Sequence, residues 1–167
     1  MLPLNNSLRF DRILLGDPED IRRMFARFSI NADVPASMLR ITMSGFFELP
    51  DIKRFVSMLR IEHTKLRCRK NQHVTLVDIR DMKIQPQGSV EGFQNVLNDP
   101  ALVSRRIAFI VEPGLARAQI QRAAAGRPAM YFSTLAAAEA WLMSDAIPIA
   151  DVTCLPPLIA AMRVLPA

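Results

Sequence analysis

From Val74 onward the chain alternates strictly between short apolar runs and segments of helical spacing, and this alternation limits the folds open to it. Val74 to Ile79, Arg106 to Val111 and Ala129 to Phe132 read as strands, the first two as interior ones, because they are nearly continuous in apolar and β-branched residues. Helical segments lie between them. Strands joined through helices pair in parallel, by right-handed crossovers, and the helices must lie on the sheet to bury its faces.

The helices are legible from their stripes and stops. Pro50 opens the first, in which Ile52, Phe55, Val56, Leu59 and Leu66 share one stripe while Lys53, Arg54, Ser57 and Arg60 lie elsewhere. The basic residues Lys65, Arg67, Arg69 and Lys70 are expected to close it, where positive charge suits the negative helix end. Ser89 is placed to cap the second, with Val90, Phe93 and Leu97 on its buried face and Asn98-Asp99-Pro100 ending it. Gly114 to Ala125 is Ala-rich, and Gly126 stands at a C-terminal stop. Ser133 or Thr134 can cap a last helix running to about Leu142.

Ahead of this series, Met24 to Ile30 is expected as a strand and Asn31 to Ser37 as a turn. Leu39, Ile41 and Met43 alternate with Arg40, Thr42 and Ser44, the period of a half-buried strand that Gly45 ends. The whole is an α/β chain: a mixed sheet opened by a β-hairpin, with helices packed against it. We divide it into an N-terminal extension (1–23), one domain (24–144) and a C-terminal tail (145–167) that packs on the domain.

Half of the residues are hydrophobic, enough for a core without staples. The two cysteines, Cys68 and Cys154, are far apart, which gives no disulfide framework and suits a reducing, cytoplasmic setting. The opening residues lack the basic and apolar regions of a secretory leader. Residues 147–167 are apolar but interrupted by Pro148, Pro156, Pro157, Asp151 and Arg163, so no transmembrane segment is expected. The net charge of +5 speaks to solubility and loose association; no specific nucleic-acid binding is expected.

The order of elements resembles the STAS fold of sulfate transporters and anti-sigma-factor antagonists, and in particular an uncharacterised bacterial branch of STAS-like proteins. The matching words are Leu39-Arg-Ile-Thr-Met-Ser-Gly-Phe-Phe47, Val77-Asp-Ile-Arg-Asp81, Arg106-Ile-Ala-Phe-Ile-Val111 followed by Ala116-Arg-Ala-Gln, and Tyr131-Phe-Ser-Thr-Leu-Ala-Ala-Ala-Glu-Ala-Trp-Leu142. They cover about residues 24–144. The resemblance implies a non-enzymatic regulatory module with a protein partner, signalling through the loop after the central strand. In anti-sigma antagonists that loop carries a phosphorylatable serine in an Asp-Ser-Ser-Gly-like stretch. Here it reads Gln85-Pro-Gln-Gly-Ser89, without the acidic residue or the double serine.

Gln85, Gln87, Gly88 and Ser89 are therefore the candidate regulatory loop, with Ser89 read either as a helix cap or as a phosphoacceptor beside exposed amides. Asp78, Arg80 and Asp81 stand at a strand end, where ligands and partners of parallel sheets are met, or else form ordinary surface ion pairs. His63, Cys68 and His73 are spaced by five, which turns them off one helix face, so no metal site is expected. Gly88-Ser-Val-Glu-Gly92 lacks the Lys-Ser/Thr ending of a phosphate loop, and neither a cofactor nor a catalytic motif is found. Trp141 reads as a core anchor. Beside the interaction module we keep two alternatives. One is a carrier of a lipid or other apolar small molecule, suggested by the Met and Phe content; the other is an enzyme with dispersed catalytic residues. A deep apolar cavity would favour the carrier, and a flat exposed patch around Ser89 the interaction module.

Overall fold

The computed structural model describes residues 24–144. The readings of 1–23 as an extension and 145–167 as a packed tail lie outside the described residues. Between them run β1 (Arg27–Asp33), β2 (Met38–Gly45), α1 (Leu49–Thr64), β3 (Val74–Met82), α2 (Gln87–Asn98), β4 (Arg106–Ile110), α3 (Leu115–Ala123), β5 (Ala129–Phe132) and α4 (Leu135–Met143). The five strands form one mixed sheet in the order β1-β2-β3-β4-β5, antiparallel only between β1 and β2.

This order dictates the layers. Each parallel crossover advances to the adjacent strand in the same direction, so right-handed connections put α1, α2 and α3 on one face. On that face Leu39, Ile41, Met43, Val77, Ile79, Ile107 and Phe109 form the main core with Ile52, Phe55 and Leu59 of α1. Phe28, Phe47, Phe55 and Phe93 meet there in tilted and edge-on contacts, including 5.4 Å centroid distances for Phe28–Phe55 and Phe47–Phe93. On the other face α4 buries Ala138 and Leu142 against Met38, Val74, Leu76, Ala108 and Ile110. The guanidinium of buried Arg106 donates to the carbonyls of Trp141 (3.0 Å) and Ser144 (2.6 Å), at the negative end of α4. Trp141 anchors this smaller core while half-buried, its ring 5.8 Å from Phe132.

Several boundaries differ from expectation. The first strand begins and ends three residues later than Met24 to Ile30, because Asn31, Ala32 and Asp33 pair with Arg40, Leu39 and Met38. An edge strand tolerates such polar residues, and the turn shrinks to 34–37, where the Asp33 carboxylate accepts from Ala36 N at 3.2 Å. The first helix stops at Thr64, so only Lys65 of the basic run caps it; Arg67, Arg69 and Lys70 lie on the following loop. Thr134 caps α4 as expected, its hydroxyl accepting from Ala137 N at 3.3 Å. Ser89 is not a cap: Pro86 holds that position, and Ser89 lies inside the first turn of α2.

α2 also sits differently from its neighbours. It lies alongside α1 and α3, and Ser89 is its buried residue, whereas Val90, Phe93, Val96 and Leu97 are only half-buried. Gly92 sets its approach to α1: a Cβ there would stand 2.9 Å from Ile52 Cδ1. Its apolar face thus roofs the main core without filling it.

Candidate functional site

The candidate loop follows the carboxyl end of β3 and is pinned from within. Gln85 is buried; its Oε1 accepts from Phe47 N at 2.8 Å, and its Nε2 donates to the carbonyls of Gly45 (3.0 Å) and Lys83 (2.6 Å). Its own backbone exchanges two hydrogen bonds with the Gln119 amide of α3, at 3.1 and 2.9 Å. One glutamine thereby satisfies the backbone where β2, β3 and α3 converge, groups that would otherwise cost about 1–3 kcal/mol each if left unpaired.

Ser89 is 4% exposed, and its hydroxyl donates to Phe47 O at 2.6 Å. It ties α2 to the β2–α1 connection. A phosphoryl group on Ser89 requires breaking this bond and bringing the hydroxyl out of a buried position. Gln87 and Gly88, by contrast, are exposed. Nothing in the residue types of the loop distinguishes these inward and outward positions.

Asp78 and Arg80 point to the same sheet face and pair with each other. Arg80 Nε donates to Asp78 Oδ1 at 3.0 Å and Nη2 to Oδ2 at 2.6 Å, and this bonding holds the Asp78 carboxyl below its ordinary range. Asp81 stands with Arg27, Ser44 and Lys83 around a polar cleft at the same end. Around it the carboxyl end of the sheet exposes large apolar side chains: Phe46 (41%), Ile84 (50%) and Leu115 (56%), with Phe25 and Leu49. Phe25 bridges Phe46 directly.

A second feature lies below α2. A cavity of about 100 Å³ runs between the sheet and the helices, bounded by Ile41, Val77, Phe109, Val96, Leu102 and Arg127 among others. At its other end buried polar groups form a chain: Thr75 Oγ1 and Ser104 Oγ are 2.6 Å apart, and Ser104 Oγ lies 3.0 Å from His73 Nε2. The His63 and His73 rings meet edge-on at 4.7 Å. They come together across the fold, not along one helix as their spacing would be read. Among the described residues no group of three or more His, Cys, Asp or Glu is placed to hold a metal ion. Nothing in the residue pattern marks Ser104 or Arg127, and it marks Gln85 only as part of the loop and not as a buried clamp, because their roles depend on partners more than 25 residues away.

No helix among the described residues is long and apolar enough to cross a membrane. No family model matches the sequence, and no curated protein matches it. Among solved structures, the chain is similar to an uncharacterised protein of the DUF3478 family with a SpoIIAA-like fold, from Shewanella loihica PV-4. The match has a TM-score of 0.56 at 15% identity and covers 71% of this chain and 95% of that one. That SpoIIAA-like fold is the STAS type that the element order resembles, and the mixed five-stranded sheet with four helices matches it. This chain accordingly has a SpoIIAA-like, STAS-type α/β fold.

Proposed function

We propose that the chain is a non-enzymatic, cytoplasmic regulatory module that docks a protein partner at the carboxyl end of its sheet. The observation that carries this is the group of exposed apolar side chains there, Phe25, Phe46, Leu49, Ile84 and Leu115, beside the exposed Gln87 and Gly88. Exposed apolar side chains gathered on a polar-rimmed surface are characteristic of partner sites. The cleft lined by Arg27, Arg80, Asp81 and Lys83 supplies that polar rim. Asp78 contributes by holding Arg80 in place. In this reading Gln85 and Ser89 set the shape of the loop, and Gln87 and Gly88 meet the partner.

The test is chemical crosslinking in cells of the native host, comparing the unaltered protein with a Phe46→Ser, Ile84→Ser double variant. Both positions are exposed, so the variant should melt within a few degrees of the parent. A defined partner that crosslinks to the parent through 84–88 and is lost from the variant supports the reading. Identical crosslinks from both proteins would overturn it.

A second reading, a carrier of an apolar small molecule, is favoured by the cavity under α2 and by the partial burial of that helix. Thermal shifts with short alkanes and alcohols test it. Stabilisation abolished by filling the cavity through Val96→Phe is the expected result.

A further inference from the structure

We infer that the cavity under α2 takes an amphiphile with a short apolar tail and an anionic head, and that Arg127 receives the head. This rests on the carrier reading above and adds a ligand class to it.

The lining is almost entirely apolar, so its few polar groups decide what can enter. Thr75 and Ser104 are satisfied by each other and by His73. Arg127 is different. It lies between Gly126, in the left-handed region at φ 80°, and Pro128, just ahead of β5. Its Nη2 donates to the Leu97 carbonyl at the end of α2, while its Nε is buried with no hydrogen-bond partner. Among the described residues no carboxylate pairs with it. A guanidinium carries donors only and keeps its charge at all physiological pH. Arg127 is itself half-buried and lines the cavity, so its guanidinium, which has no carboxylate partner among the described residues, can offer an N–H and its charge to an anion held there.

The tail follows from size and from the roof. About 100 Å³ is smaller than the ~150 Å³ apolar cavity that holds benzene, which limits the resident tail to a few carbons. A smaller void of about 40 Å³ between α2 and α3 shares Ile79, Met82, Phe93 and Ile120 with the first. A tail of about six carbons would reach toward it if α2 shifts slightly, and the half-buried Val90, Phe93 and Val96 let it do so without exposing a packed core.

The experiment is ligand-observed and amide NMR titration of the full chain with hexanoate, hexyl phosphate and neutral hexanol, repeated on Arg127→Gln. Hexanoate or hexyl phosphate should bind roughly tenfold or more tightly than hexanol, with the amides of 96–97 and 127 shifting, and Arg127→Gln should erase the preference while hexanol still binds. The two anions separate a carboxylate head from a phosphate head. The preference in the unaltered chain decides the matter even if the variant folds poorly. Equal binding of hexanol and both anions would overturn the Arg127 assignment and leave the carrier reading standing. No binding of any of the three would overturn both.

Discussion

His73 should make this fold sensitive to mild acid. It is 1% exposed, its Nε2 is 3.0 Å from Ser104 Oγ, and His63 faces its ring at 4.7 Å. Burial, with a smaller contribution from the neighbouring His63, pushes its pKa from 6.5 down to about 4. The folded state therefore keeps the imidazole neutral where the unfolded chain accepts a proton. Stability is intact above the unfolded pKa, falls as pH drops from about 6.5 toward 4, and levels off below. At about 1.4 kcal/mol per pKa unit the full loss is about 3 kcal/mol, and about 2 kcal/mol of it falls between about pH 7 and about pH 5. Urea denaturation at those two pH values measures it, with His73→Gln as the reference. The glutamine amide can keep a bond to Ser104 and does not titrate. The carboxylates whose pKa values are lowered, Glu62, Asp78 and Asp99, titrate alike in both proteins and cancel. The parent should lose about 2 kcal/mol more than the variant on acidification. Equal losses would refute the assignment of a neutral, buried His73.

Three further expectations follow from particular contacts. Ser89→Ala should cost about 1–2 kcal/mol in urea melts through the lost bond to Phe47 O, and Ser89→Glu considerably more because it buries a charge; a tolerated glutamate would show that the hydroxyl is accessible. Gly126→Ala should cost about 1 kcal/mol from backbone strain alone, since φ is +80° and no atom lies within 4 Å of the added Cβ; an unchanged midpoint would mean the turn relaxes freely. Deleting residues 1–23 should leave one cooperative thermal transition, and its loss would extend the domain toward the N-terminus.

The element order and most of the strand and helix positions are legible in the residue pattern alone. Apolar period and β-branching located Val74, Arg106 and Ala129 as strand starts, and Thr134 acted locally as a cap, whereas the helix expected to run to Ala125 ends at Ala123 with Ala124 as its cap, two residues ahead of Gly126. Such signals depend on neighbours within one turn or one strand, which a linear reading contains. The alternation of these elements with right-handed crossovers already implies a sheet covered by helices. Matters of partnership, by contrast, emerge only from packing. Ser89 has the residue type of a cap, yet its hydroxyl serves a carbonyl 42 positions away. Gln85 looks like an exposed loop residue and is a buried clamp on Gly45 and Phe47. His63 and His73 turn away from each other on any single helix and meet because one lies on α1 and the other just ahead of β3. Which apolar face is left half-covered, that of α2, was likewise undecided until packing was known, because a hydrophobic stripe specifies that a helix must find cover and says nothing about how completely the fold provides it.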